Sequence, residues 1–338
     1  MIWEEEARGG FFDARLLGLS GKQMLESFLE RGGPIPPIGR LTGLLLTEVG
    51  DGTATFEMPA SPWLQTHSGV IQGGVLAMLA DGALGCAIQT ALPPATPYTT
   101  AEISMTFLRP ATVASGTLTA KGNVIRAGRS MALSSVEVED SQGRLVAHGT
   151  SRCHVFPPLD SVPDAPEHLE PLEEPTYDTP DPHLRPVEGT VMSEEEMSGD
   201  GLTYARRCVA GEIDGPPIHY LTGLTPTGAE PERASFKLPA TKWLCSPTGY
   251  LQGGAIALLA DTAIAFAIQT TVPEGMTYAI VDLKVNYLRP VPPDSTDMSG
   301  TGTVSHRGKT LAIANSDLTN ADGKRVALAT GSAMLLEP

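Results

Sequence analysis

Two aspartates stand in the middle of long apolar segments, each at the same distance from a Gln-Gly-Gly triplet. The first segment, VIQGGVLAMLADGALGCAIQT, covers residues 70–90 and contains Asp81. The second, YLQGGAIALLADTAIAFAIQT, covers residues 250–270 and contains Asp261. A carboxylate in a partly desolvated groove can take a proton from water as a general base, or attack an acyl carbon as a nucleophile. The repeated spacing therefore predicts two acidic reaction centres.

The glycines that open each apolar segment could supply the complementary group. If the segments are helices, Gly73 and Gly253 place unpaired backbone N–H groups at the helix start, where the dipole favours negative charge and no Cβ blocks the approach. Such a start is a candidate oxyanion site. Gly74 and Gly254, the second glycine of each pair, are candidates for contact with the substrate. The other interpretation is that the Gly-Gly pairs simply permit close packing of helices.

An acid cannot act together with the start of its own helix. Asp81 lies seven positions after Gly74, which at about 1.5 Å per residue is roughly 10 Å along the axis. We therefore expect two antiparallel helices, with Asp261 facing the Gly73 amide and Asp81 facing the Gly253 amide. The alternative is a pair of buried acids that hold the interface through hydrogen bonds.

The acids belong to an internal repeat that spans most of the chain. Residues 37–150 align with residues 217–330 at a constant offset without a gap, and roughly a third of the positions are identical. Between the copies, residues 157–200 are rich in Pro, Glu and Asp, which is typical of a semi-extended linker. We predict an N-terminal domain over 1–156, this linker, and a C-terminal domain over 201–338, each domain with a leading helix.

Hydrophobic periodicity in each copy indicates one helix within a set of strands. TATFEMPA alternates as a strand does, and residues 72–90 have the length and alanine content of a helix. YTTAEISMTFL, SGTLTAKGNVIRAG, SMALSSVEVED and LVAHGTSRCHV return to strand patterns. This order predicts an α+β fold in which an antiparallel β-sheet wraps around one long central helix. Trp63 and Trp243, at equivalent positions, are expected to anchor the two cores.

Composition limits the classes of function. The chain has 338 residues, 41% of them hydrophobic, and a formal net charge of −16, which argues for a folded acidic protein and against binding to a nucleic-acid backbone. The N-terminus MIWEEEARGG lacks the pattern of a secretory signal, so we expect a cytoplasmic protein. An aspartate at the centre of each apolar segment argues against a membrane span. The cysteines at 86, 153, 208 and 245 have neither metal-binding nor disulfide spacing, which predicts free thiols and no metal site.

These features together resemble the hotdog fold, and within it the acyl-CoA thioesterases of the phenylacetyl-CoA and 4-hydroxybenzoyl-CoA thioesterase type. The resemblance covers residues 37–156 and 217–336. It rests on the Gly-Gly pair with an acidic residue in the third helical turn, found twice in register and followed each time by LRP. It implies two hotdog domains fused into one chain and hydrolysis of acyl-CoA thioesters at composite sites, with no cofactor beyond the coenzyme A of the substrate. It also implies a homodimer of the fused units.

The resemblance assigns roles to further polar residues. Thr66 and Ser246 take the place of the side chain, seven positions before the first glycine, that orients substrate or water in the family. Gln72 and Gln252 stand where the family commonly has a histidine, which keeps a hydrogen-bonding group but removes one that titrates near neutrality. His67 is expected to be a solvated loop histidine, because the other copy has a proline there.

Four cations are candidates for contact with the phosphates of coenzyme A. Arg129 and Lys309 lie in turns that resemble the family's nucleotide-binding loop. Arg109 and Arg289, each followed by proline, could equally well cap strand ends.

Two other functions compete with hydrolysis. A binding module would hold an acyl-CoA or an acyl chain in the same groove without chemistry. A hotdog hydratase or dehydratase would pair the acid with a histidine, and no such pair repeats in this sequence. The preferred acyl chain, and whether both centres work, are left open at this level.

Overall fold

The structure, a computed structural model, describes residues 1–31, 33–164, 175–193, 195–197, 199–294 and 296–337. The first copy runs, in chain order, through α1 (Gly21–Arg31), α2 (Pro37–Thr42), β1 (Leu45–Gly50), β2 (Thr53–Pro59), α3 (Gly73–Thr90), β3 (Tyr98–Phe107), β4 (Thr117–Ala127), β5 (Met131–Glu139) and β6 (Leu145–Val155). The second copy repeats this order with α4 (Gly201–Ala210), α5 (Pro217–Thr222), β7 (Thr225–Glu230), β8 (Arg233–Pro239), α6 (Gly253–Gln269), β9 (Thr277–Tyr287), β10 (Asp297–Arg307), β11 (Leu311–Thr319) and β12 (Arg325–Leu336).

The twelve strands form one antiparallel sheet whose strand order is symmetric about its centre. The order is β1-β2-β4-β5-β6-β3-β9-β12-β11-β10-β8-β7. Strand β3 pairs with β9, with Glu102 opposite Asn286 and Thr106 opposite Asp282. The two copies therefore share backbone hydrogen bonds across the middle of the sheet.

The long helices α3 and α6 lie against each other and against the strands of their own copies. A Cβ atom added to Gly74 would lie 2.5 Å from the Cα of Leu258, and one added to Gly254 would lie 2.2 Å from the Cα of Met78. Moving forward along α3 thus means moving backward along α6, so the two helices are antiparallel. Only glycine fits at these two contacts, as the packing interpretation of the sequence expects.

The core forms around these helices. Helix α3 is buried on nearly all sides, and Trp63 and Trp243 are both fully buried anchors of the core, as predicted. By length and composition alone α3 could cross a membrane, but 72% of it is buried inside the protein, as in the core helix of a folded domain. The predicted α+β fold, with a sheet wrapped around a long helix in each copy, is confirmed.

The segments that precede each copy cross over to the other copy. The indole Nε1 of Trp243 donates to the carbonyl of Glu5 at 3.1 Å, and that of Trp63 donates to the carbonyl of Arg185 at 3.0 Å. The N-terminal segment thus covers the second copy, while the end of the predicted linker covers the first. Within that linker, residues 165–174, 194 and 198 lie outside the described residues, and the domain boundaries stay a prediction.

Candidate active site

Each long helix begins without a capping side chain of its own. The glutamine before each Gly-Gly pair has an extended backbone and makes no side-chain bond to the helix start. In each pair, the free amide of the second glycine donates instead to the acid of the other copy. Gly74 N donates to Asp261 Oδ2 at 2.9 Å, and Gly254 N donates to Asp81 Oδ2 at 3.2 Å. Because helix starts leave unsatisfied donors and carry the positive end of the dipole, each acid satisfies a donor at the start of the opposite helix.

The first glycine of each pair also lies against the opposite acid. A Cβ atom on Gly253 would lie 3.1 and 3.2 Å from the two oxygens of Asp81, and one on Gly73 would lie 3.2 Å from Asp261 Oδ1. The Gly253 amide also lowers the pKa of Asp81. The structure therefore brings each acid to the helix start of the other copy, with the amide of the second glycine as the partner common to both centres.

Burial changes the ionisation of both acids. Loss of water raises the pKa of Asp81 to about 6, opposed by hydrogen bonds from the helix-start amides and from the Thr100 hydroxyl. The same loss of water raises the pKa of Asp261 to about 6, opposed by the Gly74 amide and the Gln72 side chain. An acid of this kind is mostly ionised at neutral pH and is a stronger base than an ordinary aspartate, which suits proton transfer.

The two glutamines differ in their partners. Gln72 donates its side-chain amide to the hydroxyl of Thr262. Gln252 donates to the carbonyl of Met78 at 3.3 Å, and its own side-chain oxygen is buried without a partner in the described part of the chain. Their predicted contact with substrate stays a prediction.

The predicted orienting hydroxyls lie in turns that lead into the helices. Thr66 Oγ1 is 3.0 Å from Ser68 Oγ and donates to the carbonyl of Val70 at 3.1 Å. Ser246 makes the equivalent bonds in its own turn. These contacts fasten the turns, and a role toward substrate or water stays a prediction.

The expectation of a solvated His67 is wrong. Its ring is buried, with Nε2 donating to the carbonyl of Asp214 at 2.7 Å and Nδ1 accepting from the hydroxyl of Tyr204 at 2.6 Å. The partners come from the second copy, so the histidine is a contact between copies that the local sequence does not reveal.

The four predicted cations fall into two groups. Arg109 Nη1 donates to the carbonyl of Leu145 at 2.7 Å, and Arg289 makes the equivalent bond in the second copy. These two arginines thus cap strand ends. Arg129 and Lys309 are exposed in the hairpins between β4 and β5 and between β10 and β11, and their contact with coenzyme A stays a prediction.

Sequence reasoning missed the aromatic residues that cover the first glycines. A Cβ atom on Gly73 would lie 3.0 Å from the ring of Phe107, and one on Gly253 would lie 3.3 Å from the ring of Tyr287. The Tyr287 hydroxyl donates to the Gly253 carbonyl at 2.9 Å. The available signal was an aromatic residue directly before LRP in both copies.

The site consists of ordinary side chains and backbone amides. Within the described ranges, no group of three or more His, Cys, Asp or Glu residues could hold a metal ion. The four cysteines are free, as predicted, and only Cys86 is partly exposed.

Comparison with known proteins places this arrangement in a family. The sequence profile of the Thioesterase superfamily matches residues 68–147 and 248–327, once in each copy. A Halobacterium salinarum protein named "Putative esterase" is 30% identical over 125 residues, which cover 34% of this chain and 81% of that protein.

Solved structures share the complete double architecture. A hot dog fold protein from Alicyclobacillus acidocaldarius has a TM-score of 0.55 at 15% identity, covering 89% of this chain and 98% of the other. An acyl-CoA thioesterase II from Mycobacterium marinum has a TM-score of 0.52 at 13% identity, covering 89% and 97%. At these identities the likeness establishes the fold alone. With the repeated profile match and the esterase relative, the chain belongs to the thioesterase superfamily, as two hotdog repeats in one polypeptide.

Proposed function

We propose that the protein hydrolyses acyl-CoA thioesters to a free acid and coenzyme A at composite centres built from both copies. The observation that carries this proposal is the contact between an acid and the opposite helix start, 3.2 Å for Asp81 and 2.9 Å for Asp261. A thioester carbonyl at this contact would have its carbon beside the acid and its oxygen beside backbone N–H groups. That is the geometry that acyl transfer to water requires.

The reaction follows from what each group supplies. The carboxylate takes a proton from water while the water oxygen bonds to the carbonyl carbon, and the carbonyl electron pair moves to the oxygen. The amide of Gly73 or Gly253 is proposed to hold this oxygen, because the amides of Gly74 and Gly254 already donate to the acids. The oxyanion then re-forms the carbonyl as the C–S bond breaks, and the leaving sulfur of coenzyme A takes the proton from the acid. In the second route the carboxylate itself attacks, the thiolate leaves, and water cleaves the resulting anhydride.

The raised pKa supports either route. With pKa values of about 6, both acids are ionised enough at neutral pH to act as base or nucleophile. Arg129 and Lys309, exposed on a chain with net charge −16, are proposed to meet the phosphates of coenzyme A. We also retain as predictions a cytoplasmic location and a homodimer of the fused units.

A thiol-release assay with short, medium, long and aromatic acyl-CoAs tests the proposal. We expect release by the native protein and a loss of about 10²-fold or more in the double variant Asp81→Asn/Asp261→Asn, with acyl-CoA binding retained by calorimetry. Asp322→Asn, which changes an exposed turn aspartate, is the matched control. Full hydrolysis by the double variant would reject the acids. Tight binding without thiol release across the panel would favour the binding module.

A further inference from the structure

The two acids occupy equivalent positions but differ in access to solvent. Asp81 is 9% exposed, whereas Asp261 is 1% exposed. The Oδ1 atom of Asp261 is buried and has no hydrogen-bond partner among the described residues. A general base or nucleophile must reach water or a carbonyl carbon. Asp81 keeps a small exposed fraction for this contact, while Asp261 has almost none.

A polar strand residue lies near one acid, and the equivalent strand residue of the other copy is apolar. The Thr100 side chain, on β3, lies near enough to Asp81 to lower the pKa of that carboxyl. The repeat offset makes Ile280, on β9, the counterpart of Thr100 in the second copy, and an isoleucine side chain has no donor. Asp81 thus accepts a hydrogen bond from the Gly254 amide on the helix side and has a polar neighbour, Thr100, on the strand side.

The two helix starts also differ, because a hydrogen bond fixes the backbone of one first glycine and no equivalent bond fixes the other. Tyr287 donates its hydroxyl to the Gly253 carbonyl at 2.9 Å and so fixes the backbone that presents amides to Asp81. The equivalent residue at the other centre is Phe107, which packs on Gly73 without a polar atom. A donor array holds a developing charge best when its backbone cannot shift.

The glutamines complete the contrast. At the Asp261 centre, Gln72 donates to Thr262, whose hydroxyl in turn donates to the carbonyl of Leu258 at 2.8 Å, and the Gln72 side chain also lowers the pKa of Asp261. The counterpart of Thr262 is Gly82. At the Asp81 centre, the side-chain oxygen of Gln252 is left as a buried acceptor without a partner in the described ranges.

We propose that the two centres are not equivalent. The Asp81 centre carries turnover, with Thr100 and Tyr287 as positioning residues, and the Asp261 centre serves as a buried link between the helices. This inference rests on the proposed thioester hydrolysis and adds which half of the duplicated machinery performs it.

Single substitutions of the two acids separate the centres. We expect Asp81→Asn to lower kcat/KM by about 10²-fold or more and Asp261→Asn by less than about ten-fold. Equal losses would overturn the inequality while leaving the hydrolysis standing. No thiol release by the native protein would instead remove the proposed function itself.

Binding stoichiometry gives a readout that needs no variant. Calorimetry of the full chain with a thioether analogue of an acyl-CoA, which cannot be hydrolysed, is expected to show one site per chain. Two sites of equal affinity would overturn the proposal even if an asparagine variant failed to fold.

The pH profile tests the positioning role of Thr100. Thr100→Val removes a donor that lowers the pKa of Asp81, so the acid limb of kcat/KM should move to higher pH, and Thr100→Ser should restore it. Ile280→Val is the matched change at the other centre and should not move the limb. An unmoved limb in Thr100→Val, or equal movement in both variants, would refute the role.

Discussion

Replacing either of the buried acids with asparagine should make the protein more stable at neutral pH. Asp81 and Asp261 pack against the opposite copy with pKa values raised from 3.8 to about 6, chiefly by loss of water. A raised pKa means that the folded state disfavours the ionised acid more than the unfolded chain does. Asparagine keeps the shape and an acceptor for the helix-start amide but carries no charge.

The size of the effect follows from the shift. The folded protein binds a proton that the unfolded chain has released, so each acid's contribution to stability is greatest below 3.8 and is lost as pH rises to about 6. With about 1.4 kcal/mol per pKa unit, one acid destabilises the native protein by about 2 kcal/mol between about pH 4.5 and about pH 7.5, relative to its asparagine variant.

Urea unfolding of the native protein, Asp81→Asn and Asp261→Asn at both pH values measures this difference. For each variant, the free energy of unfolding is compared with that of the native protein at both pH values, and the two differences are then subtracted. This subtraction removes the contribution from titration of all other groups. Asp200→Asn is the control with the opposite sign. Asp200 caps α4 through the amide of Thr203, which lowers its pKa, so its carboxylate stabilises the fold and this contribution is lost as pH falls.

One result would refute the reasoning. If Asp81→Asn and Asp261→Asn lost stability relative to the native protein as pH rises, both acids would be stabilising carboxylates like Asp200. The catalytic use of a desolvated base would then have no physical support.

Three further outcomes are expected. The kcat/KM for acyl-CoA should rise with pH through about 6 and then level off, because only the ionised acid accepts a proton; a flat profile would contradict this. Gly254→Ala places a Cβ 2.2 Å from the Cα of Met78 and should lower the free energy of unfolding by about 1–3 kcal/mol or more, measured by thermal melting. Gly228→Ala, whose Cβ would meet nothing closer than 3.9 Å, serves as its control. Arg129→Ala should raise KM for acyl-CoA several-fold at low salt and less at high salt, whereas an equal KM at all salt concentrations would remove this arginine from phosphate binding.

Most of the features that could be predicted from the sequence followed from the internal repeat. A constant offset fixed the acids and the Gly-Gly pairs as equivalent, and helix rise alone showed that Asp81 could not use its own helix start. The rise per residue does not determine how each helix is rotated about its axis. The acids were therefore expected to face the first glycine of each pair, whereas each accepts a hydrogen bond from the amide of the second glycine, as Asp261 does from Gly74.

Other features depend on partners that are distant in sequence. His67 was expected in solvent, but Tyr204 and the carbonyl of Asp214 enclose it. Thr100 and Ile280 are both ordinary strand residues, so nothing in their types marks one of them as a partner of a buried acid. Only the folded chain shows which side chain faces which carboxylate.

Joining the copies in one polypeptide changes what mutation can do. In a homodimer every substitution occurs twice, so any residue that improves one groove is imposed on its mate. Here the two copies depend on each other through the pairing of β3 with β9 and through the acid of each copy that accepts from the helix start of the other. Each position of the two copies can nevertheless mutate independently. One centre can therefore specialise in catalysis while the other keeps only a structural role. Thr100 and Ile280, at equivalent positions of the two copies, are a difference of this kind.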